Sequence, residues 1–143
     1  MSNSNTYILA LDVGEKRIGV ALASVIAKLP SPLTTLQNTD QIWNELQKLV
    51  ASENIGTIVV GLPRNLNSQD TQQTMYARNF AEEVRKKCNV TIVLQDEALT
   101  SRKAESELRS RGQKYHKGDI DALAATYILE DYLATIDTME QQV

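Results

Sequence analysis

A chain of 143 residues is the usual size of one domain and long enough to fill a single core without staples. The lone Cys88 excludes an intramolecular disulfide and a multi-thiolate zinc site, and with the lone His116 it leaves no Cys/His metal set, which fits a reducing, cytoplasmic setting. A net charge of -3 argues against a protein that coats nucleic acid indiscriminately, no run is long and apolar enough to span a membrane, and the Met-Ser-Asn-Ser-Asn-Thr opening lacks the features of a signal peptide.

Tyr7-Ile8-Leu9-Ala10-Leu11 is β-prone and ends in Asp12; beyond Val13-Gly14-Glu15-Lys16-Arg17 a second apolar run covers Ile18 to Ala23. This predicts a strand, an acidic tip, a tight turn and an antiparallel strand. An acid at the mouth of a central strand suits a divalent metal or the phosphates that a metal accompanies, although a lone Asp-x-Gly also suits an ordinary hairpin turn. Ala27 to Leu36 predicts a third strand, whose Pro30 and Pro32 suit an edge or an entry bulge. Thr39 or Asp40 then caps a helix in which Ile42, Trp43, Leu46, Leu49 and Val50 recur at helical spacing, with Trp43 in the core. Thr57 to Val60 predicts a short strand buried on both faces, ended by Gly61-Leu62-Pro63. A polar loop with Arg64, Asn65 and Asn67 leads to a helix from about Gln69 to Lys87, and Val90 to Leu94 predicts a last strand, ending in Gln95-Asp96-Glu97. Thr100 caps a helix to about Arg111, the aperiodic stretch from Gly112 to Gly118 reads as a mobile loop, and a final helix starts near Asp119. Residues 1–5 and about 136–143 are expected to be frayed tails.

Three antiparallel strands followed by two parallel ones, alternating with helices, predict an α/β domain over 1–143: a mixed five-stranded sheet with helices on both faces. Ligands of such sheets gather beyond the carboxyl ends of the parallel strands. Charge is unevenly spread: Arg102 to Lys117 holds six cations against two acids, net +4, leaving -7 elsewhere. A patch of this kind suits phosphates, or is simply a solvated face.

Three acidic points end elements that would converge: Asp12, the Asp96-Glu97 pair, and Asp119 or Asp121. Gathered acids repel one another unless a cation neutralises them, and hard oxygen donors select magnesium or manganese over zinc. Two such ions would activate a water and stabilise the leaving oxygen in phosphodiester cleavage. Taken singly, Asp119 or Asp121 is also a good helix-start acid, and Asp96 a turn former.

The runs LALDVGEKRIGVALAS, VVGLPRNLN, DEALTSRKAE and GDIDALAATYIL, in that order between Tyr7 and Leu133, resemble the YqgF (RuvX) family. The resemblance implies an RNase H-like fold and a nuclease proposed to trim the 5′ end of the 16S ribosomal RNA precursor, with junction resolution or a transcription-linked role suggested for some relatives. It makes Asp12 the first-strand metal ligand, Glu97 the second acid with Asp96 as competitor, and Asp121 the helix acid with Asp119 as an extra. Lys16, Arg17, Arg64 and Arg102 would then face substrate phosphates, joined by Arg109, Arg111, Lys114 and Lys117 of the basic segment. The implied cofactor is Mg2+ or Mn2+ and the implied partner structured RNA or branched DNA, bound by a monomer or a homodimer, with no membrane. Ser68 stands where the family has glycine and Ala98 where many members have arginine; the fourth strand ends without an acid, so the second ligand must come from the fifth. Two other classes fit parts of the chain: a phosphotransferase, since Asp12-Val13-Gly14 with Gly19 resembles a phosphate loop of the actin and sugar-kinase superfamily, and a non-catalytic nucleic-acid or transcription-complex binder.

Overall fold

Two apolar periods meet in this chain, one of two residues and one of 3.6, and together they set five strands between helices. The computed structural model describes residues 6–65, 67–97, 106–112 and 116–141, with the side chains of the last helix described as far as residue 137. Its elements are β1 (Tyr7–Val13), β2 (Arg17–Ser24), β3 (Ser31–Gln37), α1 (Ile42–Ser52), β4 (Ile55–Pro63), α2 (Gln72–Lys87), β5 (Thr91–Glu97) and α3 (Lys117–Gln141). Residues 106–110 are also helical, and Gly112 follows with φ 68, the left-handed conformation that ends helices. The sheet order is β3-β2-β1-β4-β5. β1 pairs antiparallel with β2 and parallel with β4, β2 antiparallel with β3, and β4 parallel with β5. This is the predicted mixed sheet, with β3 and its Pro32 at one edge.

Strand alternation sorts the core into two layers. Leu9, Leu11, Val13, Ile18, Val20, Ile58, Val60 and Leu62 pack against Ile42 and Leu46 of α1 and Ala77, Phe80, Ala81 and Val84 of α2. On the other face Ile8, Ala10, Ala21, Ala23 and Val59 meet Ala125, Ile128, Leu129 and Leu133 of α3. Small residues dominate this second layer, so α3 lies close to the strands. The limit is Gly19, where any Cβ would run into the backbone carbonyl of Asp121.

Several boundaries differ from the sequence reading for local reasons. β3 starts at Ser31, because Ser24 to Ala27 forms a turn in which the Ser24 hydroxyl accepts the N–H groups of Ile26 and Ala27. The N-cap of α1 is Gln41, without a side-chain cap, in place of Thr39 or Asp40; the Thr39 hydroxyl instead accepts the Gln41 N–H at 3.2 Å. α2 begins at Gln72 because Thr71 and Thr74 form a reciprocal capping box, while Asn65 Oδ1 gathers the N–H groups of Asn67 and Gln69 into the preceding loop. β5 runs on through Glu97, so the acid pair lies in the strand and not after it. α3 continues to Gln141 where a frayed tail is expected from about 136. Residues 1–5 and Thr100 lie outside the described residues.

Candidate active site

Asp12 follows Ile8 and Ala10 at two-residue spacing, so the apolar alternation of β1 aims it at the α3 face. Its register partner on β2 is Gly19, against which the Asp121 backbone rests. On β5 the same parity separates the two adjacent acids. Ile92 and Leu94 pack in the α1/α2 layer and Val93 in the α3 layer; Glu97 shares Val93's side and is buried, whereas Asp96 has the opposite parity and is exposed.

Glu97 and Asp12 are separated by β4 in the sheet, and Gly61 explains how they communicate. A Cβ on Gly61 would lie 3.1 Å from the Glu97 carboxyl carbon and collide with the Ile128 side chain. The Glu97 carboxyl therefore lies over the bare backbone of β4. The strand that ends without an acid supplies the gap through which the next strand's acid reaches inward. Burial, then the negative charge of Glu97, then that of Asp121 push the Asp12 carboxyl from its ordinary 3.8 up to about 8. Asp12, Glu97 and Asp121 thus form one electrostatic unit. Asp121 is half-buried and accepts a charge-assisted hydrogen bond from Arg17 Nε at 2.7 Å. Among the described residues no three His, Cys, Asp or Glu side chains stand at the spacing of a closed metal cage.

Asp96, itself exposed, accepts from Arg64 Nε at 3.1 Å. Asp119 turns back to the start of α3, where its Oδ2 accepts the His116 N–H at 2.9 Å, an ordinary helix-start bond. Arg17 and Arg64, expected to face phosphates, are instead paired with carboxylates, Arg64 with Asp70 as well as Asp96. Lys16 is exposed at the hairpin tip. Arg109, Arg111 and Lys117 are exposed, with Arg111 paired to Glu107; Arg102 and Lys114 lie outside the described residues. A cleft of about 470 Å³ adjoins Glu97 and is lined by Arg64, Ser68, Asp96 and Asp131 as well. Ser68 carries φ 59, in the left-handed region.

The sequence reading missed the residues that brace the acidic tip. Gln73 Nε2 donates to the Val13 carbonyl at 2.9 Å, and Asn38 Nδ2 donates to the Gly14 carbonyl at 2.8 Å and to Tyr76 Oη at 2.9 Å. The Asn38 N–H also binds the Lys16 carbonyl, and the Gly14 N–H closes the hairpin on the Arg17 carbonyl. These contacts join the tip to the end of β3 and to the first turns of α2, and nothing in their local sequence pattern announces them.

A family model described as "RuvX: Holliday junction resolvase" matches residues 6–135. A protein of Maridesulfovibrio salexigens named "Putative pre-16S rRNA nuclease" is 36% identical over 131 residues, 89% of this chain and 97% of that protein. One of the same name from Rickettsia canadensis is 37% identical over 136 residues, 92% of this chain and 88% of that protein. Among solved structures, RuvC of T. thermophilus in complex with a Holliday junction substrate aligns with TM-score 0.55 at 14% identity, covering 93% of this chain and 98% of that one. The Fowlpox virus resolvase in complex with Holliday junction DNA aligns with TM-score 0.51 at 10% identity, covering 92% and 99%. At such identities the likeness concerns the fold, which is RNase H-like.

Proposed function

The chain belongs to the RuvX family, and on that footing we propose that it is a divalent-metal-dependent endonuclease that hydrolyses phosphodiester bonds in structured RNA, trimming the 5′ end of the 16S ribosomal RNA precursor. The observation that carries this reading is the gathering of Asp12, Glu97 and Asp121 over one face of the sheet, close enough that two of them raise the pKa of the third. Such repulsion is costly to keep in a folded protein and is relieved by a cation. The donors are all carboxylate oxygens, which suits magnesium or manganese and not zinc. Asp12, Glu97 and Asp121 would hold one or two such ions, which when bound polarise a phosphodiester oxygen and lower the pKa of a coordinated water.

The chain's own groups account for the rest. Asp12 must give up its proton before it acts as a ligand. Lys16, exposed beside the braced tip, binds a substrate phosphate as a point charge. Arg64 lies at the cleft beside Glu97 and meets a phosphate when Asp70 or Asp96 yields its place. The cations of Arg102 to Lys117 supply sequence-independent attraction to the backbone.

The test is cleavage of a precursor fragment of 16S rRNA and of a four-way DNA junction by the purified protein with Mg2+ or Mn2+. The expected result is precursor cutting that Asp12→Asn abolishes while binding is largely kept; cutting that survives this substitution overturns the assignment. A second reading, cleavage of branched DNA, is favoured by the description of the family as a resolvase, and junction cutting without precursor cutting selects it. Binding without cutting selects a non-catalytic role, and ATP turnover a phosphotransferase.

A further inference from the structure

Among the described residues, Arg17 is a cation that the fold brings directly onto the carboxylate cluster. It lies on β2 two residues before Gly19, and α3 is pressed against Gly19 at the backbone of Asp121. The Arg17 carbonyl is held by the Gly14 N–H at 2.9 Å, in a tip braced by Asn38 and Gln73. Both backbones are therefore fixed, and what can change between Arg17 and Asp121 is side-chain rotation. The pair is half-buried, with side-chain exposures of 31% and 19%, and Nε stands 2.7 Å from Oδ2. Among the described residues no three acids stand at metal-ligating spacing in the arrangement that holds this bond.

We propose that Arg17 is a built-in counter-ion that holds Asp121 in the metal-free protein and is displaced from it when a divalent cation binds. This rests on the reading of Asp12, Glu97 and Asp121 as the metal-holding acids. The physical reason is competition for one carboxylate. An arginine and a divalent ion both seek the Asp121 oxygens, and two cations side by side repel each other. The resident guanidinium keeps the acids from repelling one another while the ion is absent, at the expense of affinity for the ion. Displaced, it stays anchored beside the cluster, where the remaining anion for it is the phosphodiester. Arg17 is in this account a positioning residue that acts through Asp121.

Two measurements test this without any nuclease assay. In the wild-type protein labelled uniformly with 15N, Mg2+ is titrated and the Arg17 Nε–H resonance followed together with the Asp12 and Asp121 amides; loss of the 2.7 Å bond shifts the Arg17 resonance and speeds its exchange with water. An Arg17 signal unmoved at saturating Mg2+, with Asp12 and Asp121 resonances responding, overturns the proposal while leaving the metal site intact. Mn2+ affinity is then measured by calorimetry for the wild type, Arg17→Gln, Arg17→Lys and Asp12→Asn, with folding checked by near-UV circular dichroism. Removing the positive charge is expected to tighten Mn2+ binding about tenfold in Arg17→Gln, whereas Arg17→Lys, which keeps the charge, stays near wild type. Equal or weaker binding by folded Arg17→Gln means that Arg17 only props Asp121 and overturns the proposal. If Arg17→Gln does not fold, the resonance titration decides. Wild-type Mn2+ binding that is absent, or indifferent to Asp12→Asn, sinks this proposal and the metal-nuclease reading together.

Discussion

On the proposed metal-binding role Asp12 answers to two opposing demands, because the burial and neighbouring acids that would make it a useful ligand also make its charge expensive. Its folded pKa of about 8 lies above its ordinary 3.8, so between those values the folded protein binds a proton that the unfolded chain has released. Stability contributed by the protonated acid is present at low pH and declines as pH rises from about 4 to about 8, at up to 1.4 kcal/mol per unit. Asp12→Asn removes the titration. The metal-free variant is expected to be more stable than wild type at neutral pH, by about 2 kcal/mol, with the gain shrinking towards pH 4; chemical denaturation at several pH values checks it, and equal stability at all of them contradicts it. The same proton must leave when a divalent ion binds. Mn2+ affinity should therefore climb with pH and level off near pH 8, and a flat profile from about pH 6 to 8 would mean that Asp12 is not a ligand.

Between elements, two glycines decide whether the acids meet. At Gly19 the obstacle to a side chain is the backbone of α3, which cannot step aside without carrying Asp121 with it. At Gly61 it is Ile128 and the Glu97 carboxyl itself. Gly61→Ala should cost about 1–3 kcal/mol from overpacking and displace Glu97, with a loss of cleavage larger than the loss of stability accounts for. Gly56, at the start of the same strand, is the matched control. A Cβ there meets Thr6 at no less than 3.6 Å, so Gly56→Ala should leave stability within about 1 kcal/mol and activity unchanged. Comparable behaviour of the two variants in thermal melts and cleavage assays would remove Gly61's special role. Gly19→Ala should be the most damaging of the three, since it separates a helix from a sheet instead of moving a side-chain tip.

For the whole molecule the question is how a chain of net charge -3 approaches a polyanion. Many cations near the sheet are occupied by acids: Arg17 with Asp121, Arg64 with Asp70 and Asp96, Arg78 with Asp70. On the proposed function, long-range attraction would fall to the basic segment from Arg102 to Lys117. Charge reversal at Arg109, Arg111 and Lys114 should weaken nucleic-acid binding and reduce the slope of log affinity against log salt by about 2–3; an unchanged slope would make the segment a solvated face. The sequence by itself determined the strand and helix order, the fitness of β3 for an edge and the place of Asp12 near the tip of β1, because alternation of apolar residues and the position of prolines are local properties that any register must respect. The preference for Asp121 over Asp119 came from the family resemblance, in which Asp121 stands before the small-residue run; spacing alone left both open, because the residues three and four positions after either acid are buried. Glu97 was preferred to Asp96 through the resemblance alone; strand pattern left the two open, because both faces of β5 are covered and parity has no sign until α3 is known to lie on one of them. Only the tertiary structure decided that Glu97 crosses β4 over Gly61, that Asn38 and Gln73 brace the tip, and that Arg17 reaches an acid 104 residues away. Those contacts depend on where α2 and α3 settle on the sheet, and that is set by the packing of the core as a whole.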